Sequence, residues 1–410
     1  MIAYRLIWLL LSPLLLLWSV QQTLKRAGGS HYLGQRFGLS PISAEERPIW
    51  FHAASVGELR LIAPLMDASL HHRALLTCNT PDAYRLARQL WGDRVTTRYC
   101  PLDFVWAVRS LIRAYQPRVL FVAETEIWPE LYRQCQQLQV AIHIVNGRIS
   151  DKTLNAAFPA SAFIRTALDA VTTVWARSDL DRQRFIDLGC AADKVTVTGS
   201  LKMGRVATRD IPEHPLTGKP YSLAVSTHPD EEVIVAKAWR ASGDTHQLVL
   251  IPRHPERGPT LAAQLESEGF RVTRRSLTLT PPEETDIYIA DTLGEVDAFC
   301  AHAALVFMGG SMVPHGGHNV FEAAAWGKPI IVGPHTHNFD DEVAYLREHD
   351  AIATAETEQE LAAQWRLLCA DNNHRERLTT ATVEACAALP DREAEYLALV
   401  ADAISRHASS

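Results

Sequence analysis

The segment LVFMGGSMVPHGGHNVFEAAAWGKPIIVGP, residues 305–334, reads as a buried strand (Leu305 to Met308) and a loop bearing Gly309, Gly310, Gly316 and Gly317. A helix opening at Asn319 follows, then Gly327-Lys328-Pro329 and a second strand. A glycine loop at the carboxyl end of a strand, feeding a helix N-terminus, is a place where backbone N–H groups can converge on an anion. Glycines also serve tight turns that hold no ligand. The pattern of this segment alone leaves both readings open.

Working outward, short apolar runs alternate with helix-length amphipathic segments from Pro48 onward, the signature of parallel sheets with crossover helices. Strands are expected at Ile49–His52, Ala74–Cys78, Val95–Cys100, Val119–Ala123, Ala141–Val145, Val171–Ala176 and Val195–Thr198. A second series follows at Leu223–Ser226, Leu248–Ile251, Ile287–Ala290, Leu305–Met308 and Ile330–Val332. Between the series, RDIPEHPLTGKP (209–220) holds three prolines, a glycine and four charges, a linker composition. The expected organisation is α/β: two Rossmann-like domains, 25–208 and 221–390, facing a cleft, with a C-terminal helical segment at 391–410 crossing back toward the first.

At 410 residues the chain exceeds what one core usually serves. A net charge of −7 argues against a nucleic-acid binder, which needs a basic face. The seven cysteines are scattered and form no C-x-x-C pair, which suits a reducing compartment. Residues 6–20, LIWLLLSPLLLLWSV, make 1–24 a candidate membrane anchor helix, spanning or interfacial, although the run falls short of the roughly 20 residues a span needs. Lys25, Arg26 and Arg36 follow it, and positive charge beside a membrane segment marks the cytoplasmic side and can touch acidic lipid head groups.

Polar loops after the strands supply the candidate chemistry, because ligands in such sheets sit beyond the strand carboxyl ends. Glu58, in a loop just before an amphipathic helix, can act as a general base or simply favour the helix dipole. Glu124 and Glu126 flank Thr125 ahead of Trp128-Pro129, where a helix starts. Lys202 and Arg253 each follow a strand and can meet phosphate charge. Asp291-Thr292-Leu293-Gly294-Glu295 opens another helix, and Asn319 and Glu322 have capping-box spacing. The pairs His315/His318 and His335/His337 complete no tetrahedral metal set, and Asp179-Leu180-Asp181 reads better as a cap begun at Ser178 than as a metal-holding D-x-D. No P-loop and no G-x-S-x-G elbow occurs.

Taken together, FHAASVGE (51–58), AETEIWPE (123–130), NGRIS (146–150), TGSLK (198–202), STHPDEE (226–232), IPRHPER (251–257), DTLGE (291–295), the glycine segment (309–329) and GPHTHNF (333–339) resemble the 3-deoxy-D-manno-octulosonic acid (Kdo) transferase family of lipopolysaccharide biosynthesis. The blocks run in family order over nearly the whole chain. The resemblance implies a GT-B fold at the bacterial inner membrane, its catalytic domains cytoplasmic. It implies inverting, metal-independent transfer of Kdo from CMP-Kdo to lipid IV(A), the lipid A precursor, with no cofactor. By position, Glu58 matches the general base, and Glu126, preferred over Glu124, and Lys202 match the residues that stabilise the transition state. Pro252, Arg253, Leu293, Gly294, Glu295, Asn319, Val320, Phe321 and Glu322 match the CMP contacts. Val320 departs from a proline often found there and Gly147 from an alanine. The alternatives are a GT-B enzyme of another nucleotide sugar, such as an epimerase, or a catalytically dead membrane scaffold.

Overall fold

Ile49–His52 (β1), Ala74–Cys78 (β2), Val95–Tyr99 (β3), Val119–Ala123 (β4), Ala141–Gly147 (β5), Thr173–Ala176 (β6) and Val195–Val197 (β7) form one sheet in the computed structural model. The structure describes residues 1–26, 29–39, 47–203, 210–216 and 220–407. Of the linker expected at 209–220, residues 209 and 217–219 lie outside the described residues, as do the side chains of Lys25 and Arg26. The chain folds as two units, Met1–Gly204 with Asp391–Ser410, and Arg205–Pro390.

The first sheet runs β3-β2-β1-β4-β5-β6-β7, all neighbours parallel. β1, β2 and β4 are buried along their whole length, as strands covered by helices on both faces must be, which is why they stand out as unbroken apolar runs. Strand order reverses between β1 and β4, so their carboxyl ends diverge and leave a crevice there. Tyr396, Val400, Ala403 and Ile404 of the last helix, Arg392–Arg406, share a core with β1, β2 and the helix Val56–Ala68.

The second sheet takes Tyr221–Thr227 (β8), Gln247–Pro252 (β9), Val272–Arg274 (β10), Ile287–Ile289 (β11), Val306–Met308 (β12), Ile330–Val332 (β13) and Ala353–Thr354 (β14) in the order β10-β11-β9-β8-β12-β13-β14, again parallel. Its reversal falls between β8 and β12. The expected strands all occur, and two edge strands, β10 and β14, were not expected. β10 is only partly buried and carries Thr273 and Arg274, so it lacks an apolar run, and β14 is two residues long.

The helix Ile2–Arg26 lies against the first unit. Tyr4 Oη donates to Asp103 Oδ2 (2.6 Å), and Arg5 forks onto the buried Glu130 through Nε (2.9 Å) and Nη2 (2.8 Å). Trp8 meets Phe104 and Trp128 edge-on, and Leu15 packs against the Leu102–Phe104–Ala107 cluster. Among the described residues no helix is long and apolar enough to cross a membrane, so the transmembrane form of the expected anchor is not supported.

Candidate active site

In the first unit the constellation gathers where β1 and β4 part. Ser55 caps the helix Val56–Ala68 and its Oγ accepts the Glu58 N–H (3.3 Å), while Glu58 reaches back to Ala54 N–H (2.8 Å) and Ser55 Oγ–H (2.9 Å). This resembles a capping box with its return bond moved one residue back, to Ala54 N–H, so Glu58 also serves the helix start. Its chemistry goes further. Burial, and next the negative charge of Glu126, push the Glu58 carboxyl up to about 7, although Ala54 N–H, His52 and Ser55 pull it back.

Glu126 is stabilised as an anion. Its Oε2 accepts from Asn79 Nδ2 (3.1 Å) and Trp128 Nε1 (2.8 Å), and His52 Nε2 lies 3.7 Å away. Burial opposes ionisation, but His52, Trp128 and Arg36 together hold its pKa below the usual carboxylate range. Arg36 in turn is oriented by Asn79 Oδ1 (2.9 Å) and Cys100 O (2.6 Å). His52 is completely buried, its Nδ1 2.9 Å from Thr77 Oγ1. Burial works against its protonation, yet Cys100 and Glu126 beside it push its pKa up. Arg36, expected to meet acidic lipid head groups, is instead buried in this site, and the convergence of His52, Asn79 and Arg36 is not legible in the sequence because it depends on three separate strands and a preceding helix.

Lys202 pairs with Glu124, not Glu126: Nζ lies 2.8 Å from Glu124 Oε1. Glu124 sits at φ 53°, and this left-handed turn at the end of β4 sends the two carboxylates to different partners. Lys202 is held in a short turn, Leu201–Met203, whose Leu201 N–H donates to Asn146 Oδ1 (2.9 Å) and whose Lys202 N–H donates to Ser200 Oγ (3.2 Å). Gly147, next to Asn146, fits for a packing reason. A Cβ there would come within 2.9 Å of Val174 Cγ1 and 3.0 Å of Phe185 Cε2. Asp181 of the D-x-D accepts from Ile149 N–H (2.8 Å) and pairs with Arg177 (2.8 Å), and Ser178 caps its helix.

In the second unit the glycine loop differs from expectation. Its N–H groups do converge on an anion, but the anion is the protein's own Glu231, which accepts from Gly310 (2.7 Å), Ser311 (2.9 Å), Met312 (2.9 Å) and His228 N–H (3.2 Å). Nor does a helix open at Asn319. Helix covers only Phe321–Ala324, a single turn, and the Asn319 side chain accepts from Phe321 N–H (3.1 Å) while Glu322 N–H bonds Asn319 O (3.1 Å). The expected capping box therefore does not form on its Asn319 side.

Val320 and Phe321 are buried and Glu322 is exposed. Pro252 ends β9 and is buried. Arg253, next to it, is exposed with its N–H on Thr227 O (2.9 Å). In the loop after β11, Leu293 is 84% exposed and Glu295 is clamped by Arg275 Nε (2.7 Å) and Nη2 (2.5 Å), which lowers its pKa. One further cluster, Asp244, His246 and Cys369, brings metal-capable atoms within 4.8 Å of one another. Both Asp244 oxygens are already engaged, by Ser222 Oγ (2.5 Å), Trp365 Nε1 (3.0 Å) and His246 N–H (3.0 Å).

Two doubly wound parallel units, each with a polar constellation at its point of strand reversal, define the GT-B class of architecture. Solved structures agree on the fold: a UDP-N-acetylglucosamine 2-epimerase superposes with a TM-score of 0.61 at 16% identity, over 89% of this chain and 97% of that one. The UDP-GlcNAc 2-epimerase of Neisseria meningitidis, solved bound to UDP-GlcNAc, gives 0.59 at 10% identity over 88% and 100%. Within that class, the family model described as 3-deoxy-D-manno-octulosonic-acid transferase (kdotransferase) matches residues 31–205. The 3-deoxy-D-manno-octulosonic acid transferase of Bordetella pertussis is 35% identical over 84% of both chains, and that of Haemophilus influenzae is 30% identical over 93% of both. The chain belongs to the 3-deoxy-D-manno-octulosonic acid transferase family.

Proposed function

We propose that this enzyme transfers Kdo from CMP-Kdo to a hydroxyl of lipid IV(A) in lipopolysaccharide biosynthesis, with inversion and without a metal. The observation that carries the reading is Glu58: a half-buried carboxylate at the strand reversal, pushed up to about 7 by burial and Glu126. A base with that affinity takes the acceptor proton efficiently near neutral pH. The acceptor oxygen attacks the anomeric carbon, the carbon–oxygen bond to phosphate breaks, and the electron pair leaves on CMP. Glu126 and Lys202 stabilise the charge of that transition state, Glu124 fixing the Lys202 ammonium. On the second unit, Pro252, Arg253, Leu293 to Glu295 and Asn319 to Glu322 hold CMP, with no metal needed at the phosphate. Incubation with CMP-Kdo and lipid IV(A) in EDTA, read by mass spectrometry, is expected to yield Kdo-modified lipid and free CMP. Intact CMP-Kdo after incubation would sink the transferase reading, and activity recovered only on adding a divalent ion would sink metal independence.

The helix Ile2–Arg26 is proposed to bind the membrane lying in its surface. Tyr4, Trp8 and Leu15 are committed to the protein body, while Leu6, Leu10, Leu14 and Leu17 are 54, 78, 63 and 67% exposed. Leucines at that spacing make one apolar face suited to the acyl boundary of a leaflet. Replacing Leu6, Leu10 and Leu14 together with Gln is expected to release the protein from vesicles of phosphatidylethanolamine and phosphatidylglycerol in a sedimentation assay. Unchanged sedimentation would remove this helix as the anchor.

A further inference from the structure

Four imidazoles crowd the strand reversal of the second unit, and the reaction described above uses none of them. His228 follows β8 and His254 follows Arg253, while His315 and His318 sit in the glycine loop after β12. His228 Nε2 lies 2.9 Å from His318 Nε2 with the two ring planes parallel to within 3°, and His315 stacks on His228 at 4.0 Å. Gly310 permits this approach. It sits at φ +69°, and a Cβ there would come within 3.2 Å of His318 and 3.3 Å of His228. Glu231 fixes both sides of the cluster, because it accepts the His228 N–H as well as those of Gly310 to Met312.

The nitrogen–nitrogen contact constrains the charge. One Nε2 must donate and the other accept, so the two facing nitrogens share one proton and cannot both be protonated while the contact lasts. The groups around the pair are mostly cationic or capable of becoming so. His228 faces His315, His254, Arg253 and Arg257, and His318 faces Arg253, His228, His315 and His254. His337 lies on the flank of the loop, its Nε2 2.5 Å from where a Cβ on Gly316 would stand. Arg257 is neutralised by Glu232 (2.6 Å), and the Glu231 carboxylate is spent on main-chain N–H groups. Burial first, then this surrounding charge, pushes His228 down to about 4 and His318 to about 3. His228 and His318 are therefore neutral near pH 7, and the Glu256 carboxylate lies beside His254 Nδ1 (3.6 Å) rather than at the facing pair.

We infer that His228 and His318, backed by His315, His254 and Arg253, form an oxyanion subsite of the donor cradle, where an arriving oxyanion replaces the imidazole–imidazole contact and brings a proton with it. The inference rests on the CMP-Kdo reading of this unit. An anion in contact with both rings offsets the charge of Arg253 and gives each Nε2–H an acceptor, both of which favour the imidazolium. The protonated rings then meet the charge that grows on the phosphate as its bond to the sugar breaks. The donor offers two such groups, its phosphodiester and the sugar carboxylate.

Calorimetry with the full chain at about pH 6, in two buffers of different ionisation enthalpy, counts the protons taken up on binding. The first ligand is the methyl ester of CMP, whose phosphodiester keeps one charge throughout that range. Uptake of roughly half a proton or more assigns the subsite to the phosphate. Binding without uptake, followed by uptake when free Kdo is added, assigns it to the carboxylate. Binding of both ligands with no uptake overturns the inference but leaves the donor reading intact, whereas failure of the CMP ester to bind at all overturns the donor reading. His318→Gln and His228→Gln are each expected to abolish the uptake and to weaken binding at about pH 6 on the order of tenfold. The wild-type proton count decides the matter even if a variant folds poorly.

Discussion

At the two strand reversals the protein crowds charges of like sign, but of opposite sign in the two units. In the first unit Glu58 and Glu126 stand close, with His52, Arg36 and Asn79 all serving Glu126, so one carboxylate stays ionised and the other is pushed up to about 7. In the second, imidazoles and arginines crowd one another and His228 and His318 are pushed down to about 4 and about 3. Both arrangements oppose folding locally, and both leave a group ready to change protonation when a reacting partner arrives. The difference lies in the task. On the function and the subsite proposed above, the first unit keeps a base for a proton it would receive, and the second keeps neutral imidazoles for an anion it would receive.

The comparison breaks most visibly at Glu58. Glu58→Gln is expected to lower turnover by about 10³-fold or more while CMP affinity stays near the wild-type value, because the change touches only the first unit. Wild-type turnover in this variant would remove Glu58 as the base. Stability should move the other way. The folded pKa of about 7 lies above the ordinary carboxylate value of 4.5, so the folded state loses stability as pH rises from roughly 4.5 to 7 and the full cost remains above that range. Gln carries no such cost. The stability of the variant relative to wild type, measured by urea unfolding, is therefore expected to improve between about pH 5 and pH 8, by at most about 3 kcal/mol. A difference that does not change with pH would mean that Glu58 is not raised.

Much of this frame was legible in the sequence because buried parallel strands are unbroken apolar runs: β1, β2, β4 and β13 fall at their expected bounds. Edge strands lack that signal, which hid β10 and β14. Local polar residues were legible as candidates but not in their pairing. Spacing two apart in AETE cannot tell which carboxylate meets Lys202; the positive φ of Glu124 decides it, and nothing in the residue type demands that conformation. The occupant of the glycine loop was hidden for a different reason. Glu231 lies 79 residues before Gly310, and only the side-by-side placement of β8 and β12 brings its carboxylate under the loop. The helix expected from Asn319 shrank to one turn because the Asn319 side chain bonds the N–H two residues on, an Asx turn that competes with helix.

Whether the like-charge pair, rather than burial alone, sets the base is decided by Glu126→Gln. Burial is the larger cause of the Glu58 rise and survives the substitution; the Glu126 charge is the second cause and does not. His52 also loses its 3.7 Å partner, and any positive charge it keeps then acts on Glu58 without a competing carboxylate. Both changes favour ionised Glu58. The acid limb of the kcat/KM profile, which reports the base of the free enzyme, is therefore expected to move toward lower pH by on the order of one unit, while remaining above an ordinary glutamate. The plateau rate should fall as well, since a weaker base and a lost transition-state contact both act against transfer. A plateau that falls with the acid limb unmoved would mean that Glu126 acts on the transition state alone and that burial by itself poises Glu58. The crowding in the first unit would then be incidental, and the parallel with the histidine cluster would fail on that side.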